Sequence, residues 1–511
     1  MKVKTNPWKR LYCFEILLIA LSLCFLTVGD EIWFDEVFSV SIVKHSFSDI
    51  ISFTAADVHP PLYYFILKCF TLIFGQRMSV YHLVSVIPFI LMLLAIGRFV
   101  SKHFGFKEAM LSVLFVTAAP NMLMYAVEIR MYSLCCLFVV LSVILAVELY
   151  GNPDSSKPSA GRLNRMIGNK KWAAFAIVNV LAAYSHYFAG AAVLLVAGCL
   201  FLFFLLRKEN RKKNLIHWFL SMAATGVLYL PWLIVFYQQL TKVKKDYWIE
   251  GFHIGTLMEY EKFIFGSDMW MKILTEVLFL LAVCTVVYFW KNEKKDRIFF
   301  LNGFAFFGLI ASGVLLSILI TPVFMRRYII VVLPLFWITV VCALLQIKQK
   351  SVFVALGLCG LLLFSVNYGK EFSHRNHASN TTMLYLLQEE MVEEDVIYSA
   401  HCYLMADAAA YFPEQERYLP EGAMDGQAFT EWGPLTDTKI VEDAESFCEE
   451  KHQPVWLLEL YKDEAEAEEE QNVKIFEENG YNVLDKGEQT IGWGDGYTDS
   501  LIVHVYFCEL K

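Results

Sequence analysis

The sequence predicts a polytopic α-helical membrane protein with about eleven transmembrane helices, interfacial helices in its first outer loop, and a C-terminal extracytoplasmic α/β domain. Three observations predict it. Of 511 residues, 57% are hydrophobic and only 19% charged, with a mean hydropathy of +0.46, whereas about a quarter of an ordinary soluble domain is charged. Apolar runs of about 20 residues, the length that crosses hydrocarbon, recur as far as residue 368. Charge then divides the chain: residues 371–511 hold 32 Asp/Glu against 8 Lys/Arg, and residues 1–370 hold 20 against 35. Such asymmetry implies two environments, a membrane domain over 1–368 and an acidic domain over 369–511. It also argues against a nucleic-acid partner, because the tail has the wrong sign and the basic residues lie in short clusters between apolar runs.

The spans expected are 11–28, 79–97, 108–125, 131–149, 172–187, 189–206, 215–236, 271–290, 298–320, 328–346 and 352–368. The first follows Lys2, Lys4, Lys9 and Arg10 as a signal peptide would, but Asp30-Glu31 follow it in place of a small-residue cleavage site, so it reads as a retained anchor. If every segment spans, the N-terminus and the basic clusters beginning at Arg98, Lys157, Arg207, Lys291 and Lys348 all fall on one side. The positive-inside rule makes that side cytoplasmic and puts the tail outside, as for a multi-pass protein of the plasma membrane.

The first outer loop carries two apolar stretches too short to span, "EVFSVSIVKHSFSDII" and "PPLYYFILKCFTLIFG", which read as helices lying in the interface. Pro60-Pro61 suits a first helical turn, where no N–H is needed. In the tail, "DVIYSA", "VWLLEL" and "LIVHVYF" read as buried strands. "TTMLYLLQEEM", "YLMADAAAYF" and "KDEAEAEEEQNVKIFEENG" read as helices, the last a solvated acidic face ending at Gly480. Nine of the twelve cysteines lie in or beside apolar runs without metal spacing and read as small buried hydrophobes; Cys402, Cys448 and Cys508 allow at most one disulfide in the tail.

The polar residues at the ends of the spans gather on one side. Asp35, Glu36, Asp57, His59, Glu128, Arg130, His186, Arg326 and Arg327 all fall at outer ends, where ionisable groups are costly unless they pair or face water. Asp57 and His59 in "DVHPPLYY" fit a metal or anion site, or local capping and packing. Glu128 and Arg130, pinned between two spans, fit a site at the rim or simple snorkelling. His186, in "AAYSHYFAG", fits metal ligation, a phosphate hydrogen bond or packing. Arg326 and Arg327 oppose the topological bias, and paired guanidiniums at headgroup depth are built to grip a lipid phosphate. Of the four carboxylates in "GDEIWFDEVFSV", Asp30 and Glu31 read as solvated interface charges, whereas Asp35 and Glu36 open the first interfacial helix.

Five elements in order, "WFDEVFSV", "HPPLYYF", "EIRMYSL", "SHYFA" and "RRYIIVVLP", resemble signatures of the GT-C glycosyltransferases that use polyprenyl-phosphate sugars. The protein O-mannosyltransferases (glycosyltransferase family 39-like) and the lipid A aminoarabinose transferases are the nearest by these motifs. The resemblance covers about residues 10–346 and leaves the tail without a signature. It departs from the aminoarabinose transferases at His59, where they carry Lys, and at Val58, which holds their acidic position; Asp57 lies one residue off. The resemblance implies transfer of a hexosyl or pentosyl group, with inversion, from a polyprenyl-phosphate donor to an acceptor hydroxyl. The acceptor is a glycan, a lipid or a protein. In that scheme Asp35 is the general base and Glu36 orients the acceptor or supports Asp35. Arg130, Arg326 and Arg327, with Tyr328 and His59 as hydrogen-bond donors, hold the departing phosphate, and a divalent ion on Asp57 or His186 is compatible with the pattern. The prenyl-phosphate bond supplies the energy, so no nucleotide cofactor is needed. The rival readings are a transporter or flippase of lipid-linked sugars, which would distribute polar groups through the membrane depth, and a receptor or scaffold built on the acidic tail.

Overall fold

Apolar runs become helices because a backbone in hydrocarbon must satisfy its own N–H and C=O groups. The computed structural model describes residues 7–28, 32–151, 162–244, 249, 251–289, 293–376, 387, 390–421, 432–461, 471–493 and 499–511. Asp30, Glu31, most of the helix expected over 381–391 and residues 462–470 of the helix expected over 462–480 lie outside the described residues. The chain forms two compact units: one of Met1–Val28, Val58–Ile66 and His82–Phe372, the other of Gly29–Asp57, Leu67–Tyr81 and Ser373–Lys511. The segment after the first apolar run thus belongs to the same unit as the tail.

The helices before the tail are α1 (Pro7–Leu26), α2 (Phe34–Ile42), α3 (Phe47–Ala56), α4 (Leu62–Phe74), α5 (Met78–His103), α6 (Phe106–Ala118), α7 (Met122–Val127) and α8 (Tyr132–Gly151). They continue with α9 (Arg162–Ser185), α10 (Tyr187–Leu206), α11 (Arg211–Val243), α12 (Ile254–Phe265), α13 (Met269–Tyr288), α14 (Glu293–Leu319), α15 (Leu333–Leu344) and α16 (Lys350–Asn376). Among the described residues eight segments are long and apolar enough to cross a membrane: α5, α8, α10, α11, α13, Arg297–Leu319 of α14, Arg326–Leu344 and Lys350–Arg375 of α16. The other three expected spans fall on α1, on α6 with α7, and on α9. α6 has only 13 residues, about 20 Å of helix against a hydrocarbon core of about 30 Å. Pro120 follows it, and Asn121 then turns left-handed at φ 64° to start α7.

Two local departures from the expected helices have clear causes. "EVFSVSIVKHSFSDII" is split between α2 and α3 because Ser46 and Asp49 cap a new start: Asp49 N–H donates to Ser46 Oγ (3.2 Å), and Ser46 N–H to Asp49 Oδ2 (3.1 Å). Ahead of α15 the residues Arg326–Val332 form a tight 3-10 turn. Pro334 has no N–H to donate, and the Ile330 carbonyl receives the Leu333 N–H and the Cys136 thiol, the latter at 3.2 Å. All twelve cysteines are free thiols.

The tail is an α/β domain of β1 (Val396–Ser399), α17 (Cys402–Tyr411), β2 (Glu416–Pro420), α18 (Trp432–Thr436), β3 (Lys439–Val441), α19 (Ala444–Glu450), β4 (Val455–Tyr461), α20 (Gln471–Glu478), β5 (Tyr481–Trp493) and β6 (Asp499–Leu510). Its sheet runs β3-β2-β1-β4-β6-β5, parallel from β3 to β4 and antiparallel thereafter. The strands read from sequence, β1, β4 and β6, are its apolar centre; the others were hidden by short length or polar composition. β5 is an edge strand with an irregularity between Asp485 and Gly487, where Gly487 has φ 110°. One core face packs Ile397, Met405, Ala408, Trp456, Leu458 and Val505; the other packs Tyr398, Phe447, Leu457, Phe476 and Tyr506. The Trp456 indole donates to the buried Asp395 carboxylate at 2.9 Å. Trp456→Phe should therefore destabilise this domain by about 1–3 kcal/mol, read as a lower thermal midpoint, because the buried Asp395 Oδ2 loses one of its two donors, the other being the Val392 N–H.

Candidate functional site

Most of the sequence-predicted residues of the first unit meet at one end of its helices, where α7 leads to α8, α9 to α10 and α14 to the 3-10 turn. The α7–α8 junction is a tight turn, with the Arg130 N–H bonded to the Glu128 carbonyl at 2.7 Å. It is fastened to α5 by His82 and Ser85, which share a helix face three residues apart. His82 Nδ1 donates to the Val127 carbonyl (2.7 Å), an end carbonyl of α7 that has no intrahelical partner. Ser85 Oγ donates to the Arg130 carbonyl (3.1 Å) and, its proton thus committed, accepts from Tyr63 OH (2.9 Å). Ser133 Oγ caps the Tyr125 carbonyl (2.9 Å). The backbone of Arg130 is thereby held in place before its side chain does anything.

That side chain is 3% exposed. Its Nη1 donates to Tyr64 OH (3.1 Å) and its Nη2 approaches His59 Nε2 (3.4 Å), so His59 accepts there and carries its own proton on Nδ1. The His59 ring lies 5.8 Å from that of His186, which lies 4.8 Å from Tyr328 and 6.1 Å from Tyr132. His186 caps α10: its Nδ1 accepts the Phe188 N–H at 3.1 Å, which leaves Nε2 to carry the proton of the neutral ring. Phe188 stacks on Tyr328 at 4.8 Å and 24°. Arg327 is 7% exposed, Arg326 beside it half-buried, and the charges of Arg130 and Arg327 both act on His186 and Tyr132. The result is a cluster of two buried guanidiniums, two imidazoles and several phenols, rich in donors and matched to an anion.

Asp35, Glu36 and Asp57 belong to the second unit. Asp57 is the C-terminal cap of α3. Asp35 and Glu36 lie in the first turn of α2, where the helix dipole favours acidic side chains. Their environments differ: Glu36 is buried and its Oε2 accepts the Trp33 N–H at 3.2 Å, closing the start of the helix, whereas Asp35 is half-exposed. At the other end of α2, Lys68 Nζ donates to the Val43 carbonyl at 3.0 Å. The Lys44 ammonium reaches the Ala409 carbonyl at 3.3 Å; burial, with the nearby Arg417, lowers its pKa from the ordinary value.

Among the described residues no three His, Cys, Asp or Glu side chains are arranged to hold a metal ion. His186 already accepts at Nδ1 and sits among guanidiniums. An imidazole so placed is better matched to an anion than to a divalent cation. Tyr64 and Tyr132 had no role assigned from the sequence. Tyr64 lies inside the "HPPLYYF" element, but its bond to Arg130 joins residues 66 positions apart, which no local pattern reveals.

Residues 58–154, from the approach to His59 through α8, match the family described as dolichyl-phosphate-mannose-protein mannosyltransferase. No curated protein is matched by the sequence. In structure the chain is similar to ArnT from Cupriavidus metallidurans in the apo state, with a TM-score of 0.62, 13% identity, and 97% of both chains covered. The same protein bound to undecaprenyl phosphate gives 0.61 at 12% identity, covering 97% of this chain and 98% of that one. The apo oligosaccharyltransferase of Archaeoglobus fulgidus gives 0.52 at 12% identity, covering 93% of this chain and 69% of that one. The chain thus has a GT-C glycosyltransferase fold of the protein O-mannosyltransferase and ArnT type.

Proposed function

We propose that this chain is an integral membrane glycosyltransferase that moves a hexosyl or pentosyl group from a polyprenyl-phosphate donor to an acceptor hydroxyl, with inversion. The observation that carries this reading is the cluster of buried Arg130, Arg327, His186 and Tyr328 with half-buried His59 on this fold. Guanidiniums are costly at membrane depth, and one economical reason to keep them there is an anionic ligand. The ArnT relative has been seen with undecaprenyl phosphate bound, which supports a prenyl phosphate as that ligand. Charged groups gathered at one end of the helices favour chemistry at a rim over a route through the membrane. The N-terminus lies in the cytoplasm and the tail outside the plasma membrane, supported by the distribution of Lys and Arg.

In the step itself the acceptor oxygen attacks the anomeric carbon. The bond from that carbon to the phosphate oxygen breaks, and the electron pair leaves with the phosphate. Asp35 takes the acceptor's proton. Arg130 and Arg327, with Arg326, Tyr328 and the N–H groups of His59 and His186, stabilise charge growing on the leaving phosphate. The test is transfer by purified protein from synthetic prenyl-phosphate sugars to a panel of glycan, glycolipid and peptide acceptors, read by mass spectrometry. Transfer is expected with and without EDTA. No transfer from any prenyl-phosphate sugar in the panel would overturn the reading.

A further inference from the structure

The tail carries no catalytic signature, yet it grips the helix that bears Asp35. Every residue of α2 from Glu36 to Ile42 is buried, so the helix has little freedom of its own. Just before it, the Ile32 N–H donates to the hydroxyl of Tyr411, the last residue of α17, at 3.3 Å. Just after it, Lys44 Nζ donates to the carbonyl of Ala409, also on α17, at 3.3 Å. His45 Nε2 then donates to the Leu435 carbonyl of α18 at 2.8 Å. Partners 365 to 390 residues away in sequence thus hold both ends of a nine-residue helix. α17 is itself immobilised, because Met405, Ala408 and the following Phe412 pack into the sheet core with Ile397, Trp456 and Leu458. A side chain two residues into α2 inherits that rigidity.

We propose that the C-terminal α/β domain is a positioning element for the transfer reaction, with Tyr411 and Lys44 as positioning residues that fix the placement of α2 and so the aim of Asp35. This rests on the reading of Asp35 as the base. A carboxylate that must meet a hydroxyl proton within hydrogen-bond reach gains from a fixed carrier, and a displacement of about 1 Å can cost as much as a hundredfold in rate.

The experiment compares Tyr411→Phe, Lys44→Met and their combination with the unaltered protein, Asp35→Asn and Lys439→Met. Lys439→Met is the control, since it removes an exposed tail ion pair to Glu416 that does not touch α2. Three quantities are read: kcat, donor KM, and amide hydrogen exchange over residues 32–42. The double variant is expected to lose about tenfold or more in kcat, with donor KM within about twofold, as misplacement without lost donor binding requires. Exchange over 32–42 should quicken, and Lys439→Met should match the unaltered protein in all three. An unchanged kcat in the double variant beside an inactive Asp35→Asn overturns the positioning role while leaving the base assignment standing. Unchanged exchange over 32–42, or an equal loss in Lys439→Met, overturns it as well. Full activity in Asp35→Asn overturns instead the base assignment on which the role depends.

Discussion

Asp35→Asn should lower kcat by about two to four orders of magnitude, the usual contribution of a positioned general base, with donor KM little changed. Asparagine keeps the size and acceptor oxygen of the residue in the first turn of α2 but cannot take a proton. Folding should survive, because Asp35 is half-exposed and the N-terminal backbone of the helix is closed by Glu36 and Tyr411. The neighbouring carboxylate gives an internal comparison. Glu36 is buried with its Oε2 on the Trp33 N–H, a bond a neutral amide oxygen can also accept, so Glu36→Gln should keep the start of the helix closed. Single-turnover transfer from a synthetic prenyl-phosphate sugar separates the two. Wild-type turnover by Asp35→Asn would remove it from the mechanism, and an equally severe loss in Glu36→Gln would reassign part of the chemistry to that residue.

Arg130→Lys should cost about two to three orders of magnitude in kcat/KM for the donor, on the scale of removing one preorganised donor from a developing oxyanion. The charge remains, but the fork is lost: the guanidinium spans Tyr64 OH and His59 Nε2 with two different nitrogens, and a single ammonium does not. Because the site is 3% exposed, the lysine variant is a better probe than a neutral one, which would bury an emptied cavity and risk misfolding. The measurement is initial rate against donor concentration on monodisperse protein. Tyr64→Phe, which removes only one acceptor of the fork, is expected to lose far less. A lysine variant within threefold of the original would show that the charge, and not the fork, is what the donor needs.

The parts of the molecule visible in the sequence are those governed by local rules. Apolar runs longer than about 18 residues can do little else in hydrocarbon than form helices, which is why α5, α8, α10, α11, α13, α14 and α16 were foreseeable. Arg130, His186 and Arg327 were visible as candidates for a related reason: charged or titratable residues at span ends are costly and therefore conspicuous. The tail's central strands showed as continuous apolar runs, whereas β2, β3 and the edge strand β5 did not, because strands that are short or polar on one side resemble loops.

By itself, then, the sequence determined that this is a multi-span membrane protein with an acidic α/β tail and a concentration of ionisable groups at one end of its helices. Only the tertiary structure decided which of those groups meet and what supports them. It placed His59 on Arg130 and His186 beside Tyr328, gave Glu36 to the backbone of its own helix, and tied both ends of α2 to α17 and α18. The physical reason is range. Helix formation and membrane partition depend on residues a few positions apart. A hydrogen bond from Ile32 to Tyr411 depends on how the two faces of one sheet and several helices pack, and leaves no periodic trace in the order of the residues.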